Sequence, residues 1–322
     1  MAYTTRRIGV VLFQLGGPDT LEAIEPFLFN LFCDPDIIDF PFARIGRKPL
    51  AKLISSTRAR KVQHHYATIG GGSPIRRFTE QQARALQLKL TEAGLDARCF
   101  VAMRYWHPFT ARAIEQLRDA CCDEVVLLPL YPQYSSTTTG SSLNEWRRLF
   151  REDVPVQCVD AFYRHEMYLQ ALVEKIDEAL ARFAEPERPE IVFSAHSVPV
   201  AVIHKGDPYQ RQIEETVERL MQRGGWTNGH PLLPEQSRSQ QVAAALVAHR
   251  VARACDGKRP RGLHRAHFVC FGSRRDTGRD RSRGSRRSRQ IGDQAVRDDV
   301  GFKRFADIHC GVGRFGSHGD GS

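Results

Sequence analysis

Short apolar strands alternating with amphipathic helices predict an α/β protein with parallel sheets and helices on both faces. Three observations carry the prediction. Four buried-type runs recur along the first two thirds of the chain, and helical stripes of period 3.6 fall between them. A second group of elements begins near residue 165, and 322 residues suffice for two domains of ordinary size, so two lobes are predicted. After Gly229 the text changes character.

The elements follow in order. Arg7–Leu12 reads as a buried strand. Thr79-Glu80-Gln81-Gln82 has the form of a capping box, followed by Leu86 and Leu90 and a terminal Gly94. Arg98–Met103 is the next strand, Ile114 and Leu117 mark a helix, and Glu124–Leu128 is a third strand. Leu172, Ile176, Leu180 and Phe183 form a helical stripe; Glu190–Phe193 is a fourth strand; Ile213, Val217 and Leu220 form a last stripe.

Composition is that of a globular protein: 41% hydrophobic, 26% charged, 9% aromatic. No run of 18 apolar residues is present, so no transmembrane segment is predicted. The N-terminal stretch lacks the long apolar core of a signal peptide, and the eight cysteines contain no C-x-x-C pair. A cytoplasmic location with reduced thiols follows as the expectation. The net charge of +10 is unevenly placed. Residues 230–322 hold 19 Lys and Arg against 9 Asp and Glu, which leaves 28 of each sign in residues 1–229. The first part is therefore neutral, and no specific nucleic-acid partner is predicted for it.

The last segment has 17 arginines, two lysines (Lys258 and Lys303), and no Tyr, Trp or Met. Gly, Ser and Arg dominate Gly272–Arg289; the one sustained apolar run is Val242–Ala248, and no strand–helix alternation is legible. A disordered basic tail able to bind RNA is one reading of it.

His196 stands just past the fourth strand, in Ser194-Ala195-His196-Ser197. Strand ends of open parallel sheets share the crevice where ligands bind, and imidazole handles a proton or a borderline metal near neutral pH. Four further strings concentrate Gly, Ser, Tyr and Pro at strand ends. They are Leu15-Gly16-Gly17-Pro18-Asp19, Tyr66 to Ile75, Met103-Arg104-Tyr105-Trp106-His107-Pro108, and Leu130 to Ser142. None is a P-loop or a G-x-G-x-x-G turn. With Arg58 and Arg104 they suit a large flat aromatic ligand bearing carboxylates.

These five motifs, in this order and spacing, resemble those of ferrochelatases, over roughly residues 6–229. The resemblance implies two similar Rossmann-like lobes with a porphyrin cleft between them, and a lyase inserting Fe²⁺ into protoporphyrin IX late in haem biosynthesis. Iron is then substrate, with no permanently bound cofactor, and peripheral membrane contact is compatible with that role. The resemblance implies that His196 accepts pyrrole protons or handles the metal. It places porphyrin contacts at Leu15, Arg58, Tyr66, Ser73, Arg104, Tyr105, Tyr134 and Ser135. Structural alternatives stay open: Tyr66 and Tyr105 as core aromatics with satisfied hydroxyls, and Ser135 and Ser136 as helix caps. His64, His65 and His107 have no matched role and read as surface or capping histidines. Cys33, Cys121 and Cys122 read as buried thiols.

The chain departs from the family in its last third. Strings like C-Y-Q-S-K, P-I-S-F-V-x-D-H and V/I-E-T-L-x-E-I-D, whose first Glu partners the imidazole, are absent. Leu232-Leu233-Pro234-Glu235-Gln236 can be encoded CTG CTA CCA GAG CAA, and a one-nucleotide shift spells C-Y-Q-S followed by AA. The same shift permits T-V-P-I-S-F-V-L-D-H over His264–Ser273 and V-E-T-L over Arg274–Thr277. Residues from about His230 onward are therefore expected to be family sequence read out of frame. The predicted divisions are a first lobe at 1–164, the start of a second, incomplete lobe at 165–229, and an atypical segment at 230–322. The acidic partner of His196 is missing, and weak or no chelatase activity is the expectation. Competing readings are a chelatase for another metal or for coproporphyrin, a porphyrin- or haem-binding protein without turnover, and a nucleic-acid binder through the Arg-rich tail.

Overall fold

The computed structural model describes residues 6–37, 43–183, 190–196, 198–226, 229–232 and 266–271. They fall into two compact units, one reaching Phe162 and one beginning at Tyr163. The first is built on β1 (Ile8–Gln14), whose sequence Ile-Gly-Val-Val-Leu-Phe-Gln is buried on both sides. Side chains of a strand alternate in direction, so Val10 and Leu12 leave one face and Val11 and Phe13 the other. Val10 and Leu12 join a core with Leu86 and Leu90 of α3 (Ile75–Glu92), plus Val101, Met103 and Leu128. Val11 and Phe13 join the opposite core, which takes Ile24, Leu28 and Leu31 from α1 (Ile24–Phe32), Ile114 and Leu117 from α4 (Thr110–Asp119), and Trp146 from α5 (Ser141–Leu149). Helices thus cover both faces, as the continuous apolar runs predict.

β2 (Ala97–Met103), β3 (Glu124–Pro129) and β4 (Val156–Cys158) complete a parallel sheet in the order β2-β1-β3-β4. The chain winds outward from β1 first to β2 and then, across it, to β3. That reversal makes the C-terminal ends of β1 and β3 a topological switch point, the position where open α/β sheets generally bind ligands. β4 is three residues long and exposed, a short edge of the kind that resists further pairing. α2 (Ala43–Ala67) spans 25 residues with Pro49 inside it and packs against α1.

The second unit carries α6 (Glu166–Leu180), β5 (Glu190–Ala195), α7 (Val200–His204), α8 (Tyr209–Gly224), β6 (Gly229–Leu232) and β7 (Ala266–Phe271). Its three strands are parallel in the order β6-β5-β7, with Ile191 and Phe193 of the central strand 2% exposed. α8 buries Ile213, Val217 and Leu220 as its stripe predicts, together with Gln212 and Thr216.

Four expectations need correction. α3 begins at Ile75, directly after Pro74, and Thr79 lies in its second turn with the hydroxyl donating to the Ile75 carbonyl at 2.7 Å. Proline starts helices because its missing N–H is an unbonded one there anyway, and that signal outranks the box-like string. The buried row of α6 is Tyr168, Leu169, Val173 and Ile176, one residue round from the expected stripe, and Phe183 lies beyond the helix. Cys121 is exposed at φ +50°, while Cys33 and Cys122 are half-buried. Strands do occur from Gly229 onward: β6 and β7 flank β5, and β7, apolar at every position but His267, is long enough to satisfy an unpaired strand edge. Val242–Ala248 and Gly272–Arg289 lie outside the described residues.

Candidate functional site

The loops after β1, β2 and β3 meet at the C-terminal end of the first sheet. The Arg104 N–H donates to the Gln14 carbonyl at 2.9 Å and the Tyr105 N–H to that of Leu15 at 3.0 Å, so the β1–β2 pairing continues past the strands. The Leu130 N–H donates to the Phe13 carbonyl at 2.9 Å on the other side. Gly16 turns the chain at φ +79°, and a Cβ there would stand 3.2 Å from the Met103 Cβ and from Trp106. A Cβ on Gly72 would stand 2.1 Å from the Asp19 carbonyl oxygen. The Ser73 N–H donates to the Pro18 carbonyl at 2.7 Å, and Trp106 Nε1 donates to Asp19 Oδ1 at 3.0 Å. Three of the sequence motifs thus interlock backbone against backbone, and only glycine permits the approach.

A buried polar network lies beneath them. Tyr105, fully buried, donates its hydroxyl to Asp34 Oδ2 at 2.5 Å; the Ser141 hydroxyl donates to the same oxygen. Arg104 Nε donates to Ser141 Oγ at 2.8 Å, its Nη2 is 3.2 Å from Asp34 Oδ2, and its guanidinium sits 5.1 Å from the Tyr105 ring centre. Burial, reinforced by the Asp34 carboxylate, raises the Tyr105 phenol well above its ordinary range, so it stays a donor. Burial raises Tyr131 too, and its hydroxyl lies 3.3 Å from Ser142 Oγ.

The other expected contacts are placed as follows. Leu15 is buried in the core, and Ser135, also buried, accepts the Thr137 N–H at 3.3 Å and caps the π turn Ser136–Gly140 that leads into α5. Tyr105 and Ser135 therefore have the placements of a core aromatic and a cap. Arg58 is exposed on α2 with its guanidinium 5.3 Å from the Phe32 ring centre. Tyr66, Ser73 and Tyr134 are half-buried; Ser73 Oγ accepts the Ile75 N–H at 3.3 Å, and Tyr66 packs against the core. His107 is exposed.

His196 is half-buried in the second unit, immediately after β5. A backbone hydrogen bond from His196 reaches the Tyr209 hydroxyl, and burial pushes that phenol up to about 12. Glu215 is fixed elsewhere: Arg164 grips both carboxylate oxygens at 2.6 Å, with Arg219 and Tyr163 adding bonds. Those hydrogen bonds, Arg164's first, pull it down to about 2. Among the described residues no three His, Cys, Asp or Glu side chains cluster to hold a metal ion.

Sequence reasoning misses Asp34, Ser141 and Tyr209 as site members. Ser141 falls within the Leu130–Ser142 string; Asp34 carries no local signal beyond an acidic residue after an apolar helix.

The family model for ferrochelatase matches residues 7–243. The ferrochelatase of Synechococcus sp. (strain WH7803) is 46% identical over 230 residues, 70% of this chain and 59% of that protein. That of Cyanothece sp. (strain PCC 7425 / ATCC 29141) is 49% identical over 238 residues, 72% and 61%. Ferrochelatase-2, chloroplastic, of Cucumis sativus is 46% identical over 223 residues, 67% and 43%. The chain thus spans about three fifths of the length of these bacterial relatives. Among solved structures, an ABC transporter solute-binding protein from Clostridium phytofermentans aligns at 10% identity and a TM-score of 0.28 over 83% of this chain and 65% of that one, too loose a likeness to inform the site.

Proposed function

The chain belongs to the ferrochelatase family, and from that premise we propose that it binds protoporphyrin IX and Fe²⁺ and is built to insert the metal, as a lyase of late haem biosynthesis. The interlocked loops at the end of the first sheet carry the reading. Leu15, Ser73, Arg104 and Tyr134 belong to the strings that form those loops, and rings and aliphatics suit a macrocycle while Arg and Ser suit its acid groups. Binding a bent porphyrin exposes pyrrole N–H groups and favours a transition-state-like shape. His196 is the base proposed to take the protons, and imidazole is matched to that task near neutral pH. Iron enters as substrate, with no resident cofactor.

A second reading, porphyrin binding without turnover, is favoured by one observation. The family's Glu-bearing string, which the resemblance makes the source of an acidic partner for His196, is absent from the chain. The family match runs to residue 243, past the break expected near His230, and leaves most of the Arg-rich text unmatched. Reading the nucleotides over codons 225–235 tests the expected break: a single frame with no alternative open frame downstream removes the idea. For the function, anaerobic titration of the 322-residue chain with protoporphyrin IX is expected to shift the Soret band. Adding Fe²⁺ is expected to give little or no protohaem; brisk haem formation refutes the impairment, and no Soret shift refutes the porphyrin site.

A cytoplasmic location with peripheral membrane contact completes the proposal. No helix among the described residues is long and apolar enough to cross a membrane. α2 carries seven Lys and Arg, no Asp or Glu, and exposed Leu50 and Leu53, a composition suited to an anionic lipid surface. Co-sedimentation with anionic but not zwitterionic vesicles is the expected result.

A further inference from the structure

We propose that Asp34 is a positioning residue, whose buried carboxylate holds Arg104 in the orientation that receives a carboxylate group of the ligand. The inference rests on the porphyrin-site reading above and deepens it. The Asp34 side chain is wholly buried, and a carboxylate persists in such a place only when its oxygens are bonded and its charge is matched. Both oxygens are used. Oδ1 accepts the Asp36 N–H at 2.9 Å and so fixes the turn after α1. Oδ2 gathers the Tyr105 hydroxyl, the Ser141 hydroxyl and the Arg104 guanidinium. One oxygen therefore ties the end of β2 to the start of α5.

The guanidinium is committed on two of its three nitrogens. Nε goes to Ser141 and Nη2 lies against Asp34, while Nη1 is 4.0 Å from Glu145 Oε2, beyond hydrogen-bond range. Glu145 is itself held by Arg148 at 2.6 and 3.0 Å. The Arg104 side chain keeps 14% exposure. A fork fixed on two arms, with the third making only a long 4.0 Å ion pair to Glu145, is pre-organised for a planar carboxylate, so less rotamer freedom is lost on binding. Without Asp34 the side chain would regain its freedom and could swing toward Glu145.

The test is a binding comparison on the full chain, using protoporphyrin IX and its dimethyl ester as probes. The unsubstituted protein is expected to prefer the free diacid by about tenfold, the worth of one charge-assisted pair. Asp34→Asn keeps the volume and should erase most of that preference while leaving ester affinity unchanged. Arg104→Gln should do the same, and the double substitution should lose nothing further. Tyr105→Phe, which removes a single donor, should give a partial loss and serves if Asp34→Asn does not fold. Preference retained or increased in Asp34→Asn overturns the proposal, as does an equal loss for both porphyrins. A parent chain that binds neither porphyrin overturns the functional reading and this inference with it. One that binds both equally overturns this inference alone.

Discussion

β1 of the first unit and β5 of the second are both central strands with a parallel neighbour on each side, yet their neighbours come from different distances. β1 finds β2 and β3 within the stretch of text where every element is legible, and its end loops are locked by glycine contacts and a buried ion pair. β5 pairs with segments at 229–232 and 266–271, inside the compositionally foreign text. Binding chemistry built on the first sheet is therefore insulated from a change in the downstream sequence. Chemistry that depends on His196, one residue past β5, is not. Under the proposed function, porphyrin binding with weak metal insertion is the pattern this asymmetry predicts.

Core truncation gives the largest contrast. Phe13 is 1% exposed and meets Trp146 edge-on at 5.9 Å between ring centres. Phe13→Ala should cost the first unit about 3–5 kcal/mol, read by urea denaturation through the Trp146 near-ultraviolet signal. Phe193→Ala, at equal burial, tests whether the second sheet is packed as firmly. A loss under about 1 kcal/mol there would show that β6 and β7 add little cohesion.

Next in size are two glycines. Gly72→Ala drives a methyl against the Asp19 carbonyl at 2.1 Å, with backbone as the obstacle, so about 1–3 kcal/mol should be lost together with porphyrin affinity. Gly206→Ala in the second unit has φ +92° and open space around it, so only the cost of left-handed backbone applies, about 1–2 kcal/mol with binding intact. Equal effects on binding would break the claim that the first unit's loops form the site.

Those loops also show what a sequence makes legible. Val10–Phe13 is apolar whichever face is considered, so β1 is visible without knowing its partners. Gly16, Gly17 and Gly72 announce a close approach but not its partner, since the contact is set by tertiary packing. Asp34 is invisible because its partners lie 71 and 107 residues away, and no local period encodes such a pairing. β7 is hidden for the opposite reason: five apolar residues and His267, set among arginines, look like chance until an adjacent strand needs an edge partner. The α6 stripe is misplaced because Leu172 and Val173 are adjacent apolar residues, and only packing decides which of the two faces inward.

A smaller effect concerns Tyr209. Tyr209→Phe removes the hydroxyl that takes the His196 backbone bond and should cost about 1 kcal/mol of stability. In a chain given the family's C-terminal strings in frame, it is expected to slow iron insertion without weakening porphyrin binding. His196→Ala in the same background is expected to slow insertion by about 100-fold or more, the usual worth of a general base. Unchanged kinetics in both variants would remove the imidazole from the reaction.

The smallest effect is one of pH, and the most strongly depressed carboxylate, Glu215, lies in the second unit. Glu215 is held at about 2 by Arg164, Arg219 and Tyr163, below the ordinary carboxylate value of about 4.3. A carboxylate depressed on folding stabilises the folded form fully above its unfolded value and loses that contribution as the pH falls through its folded one. The window therefore runs from a little above pH 4 down to about 2. Within it the tie between Arg164, ahead of α6, and Glu215 of α8 should fail. Circular dichroism on acidification should show the second unit loosening in this range, and Glu215→Gln should flatten that transition while lowering stability at neutral pH. Asp34 is wholly buried beside an Arg104 that is 14% exposed, whereas Glu215 is 19% and its partner Arg164 55% exposed, so added salt should weaken the Glu215 tie more than the Asp34–Arg104 pair. Equal salt sensitivity in both units would mean that burial is not what separates them.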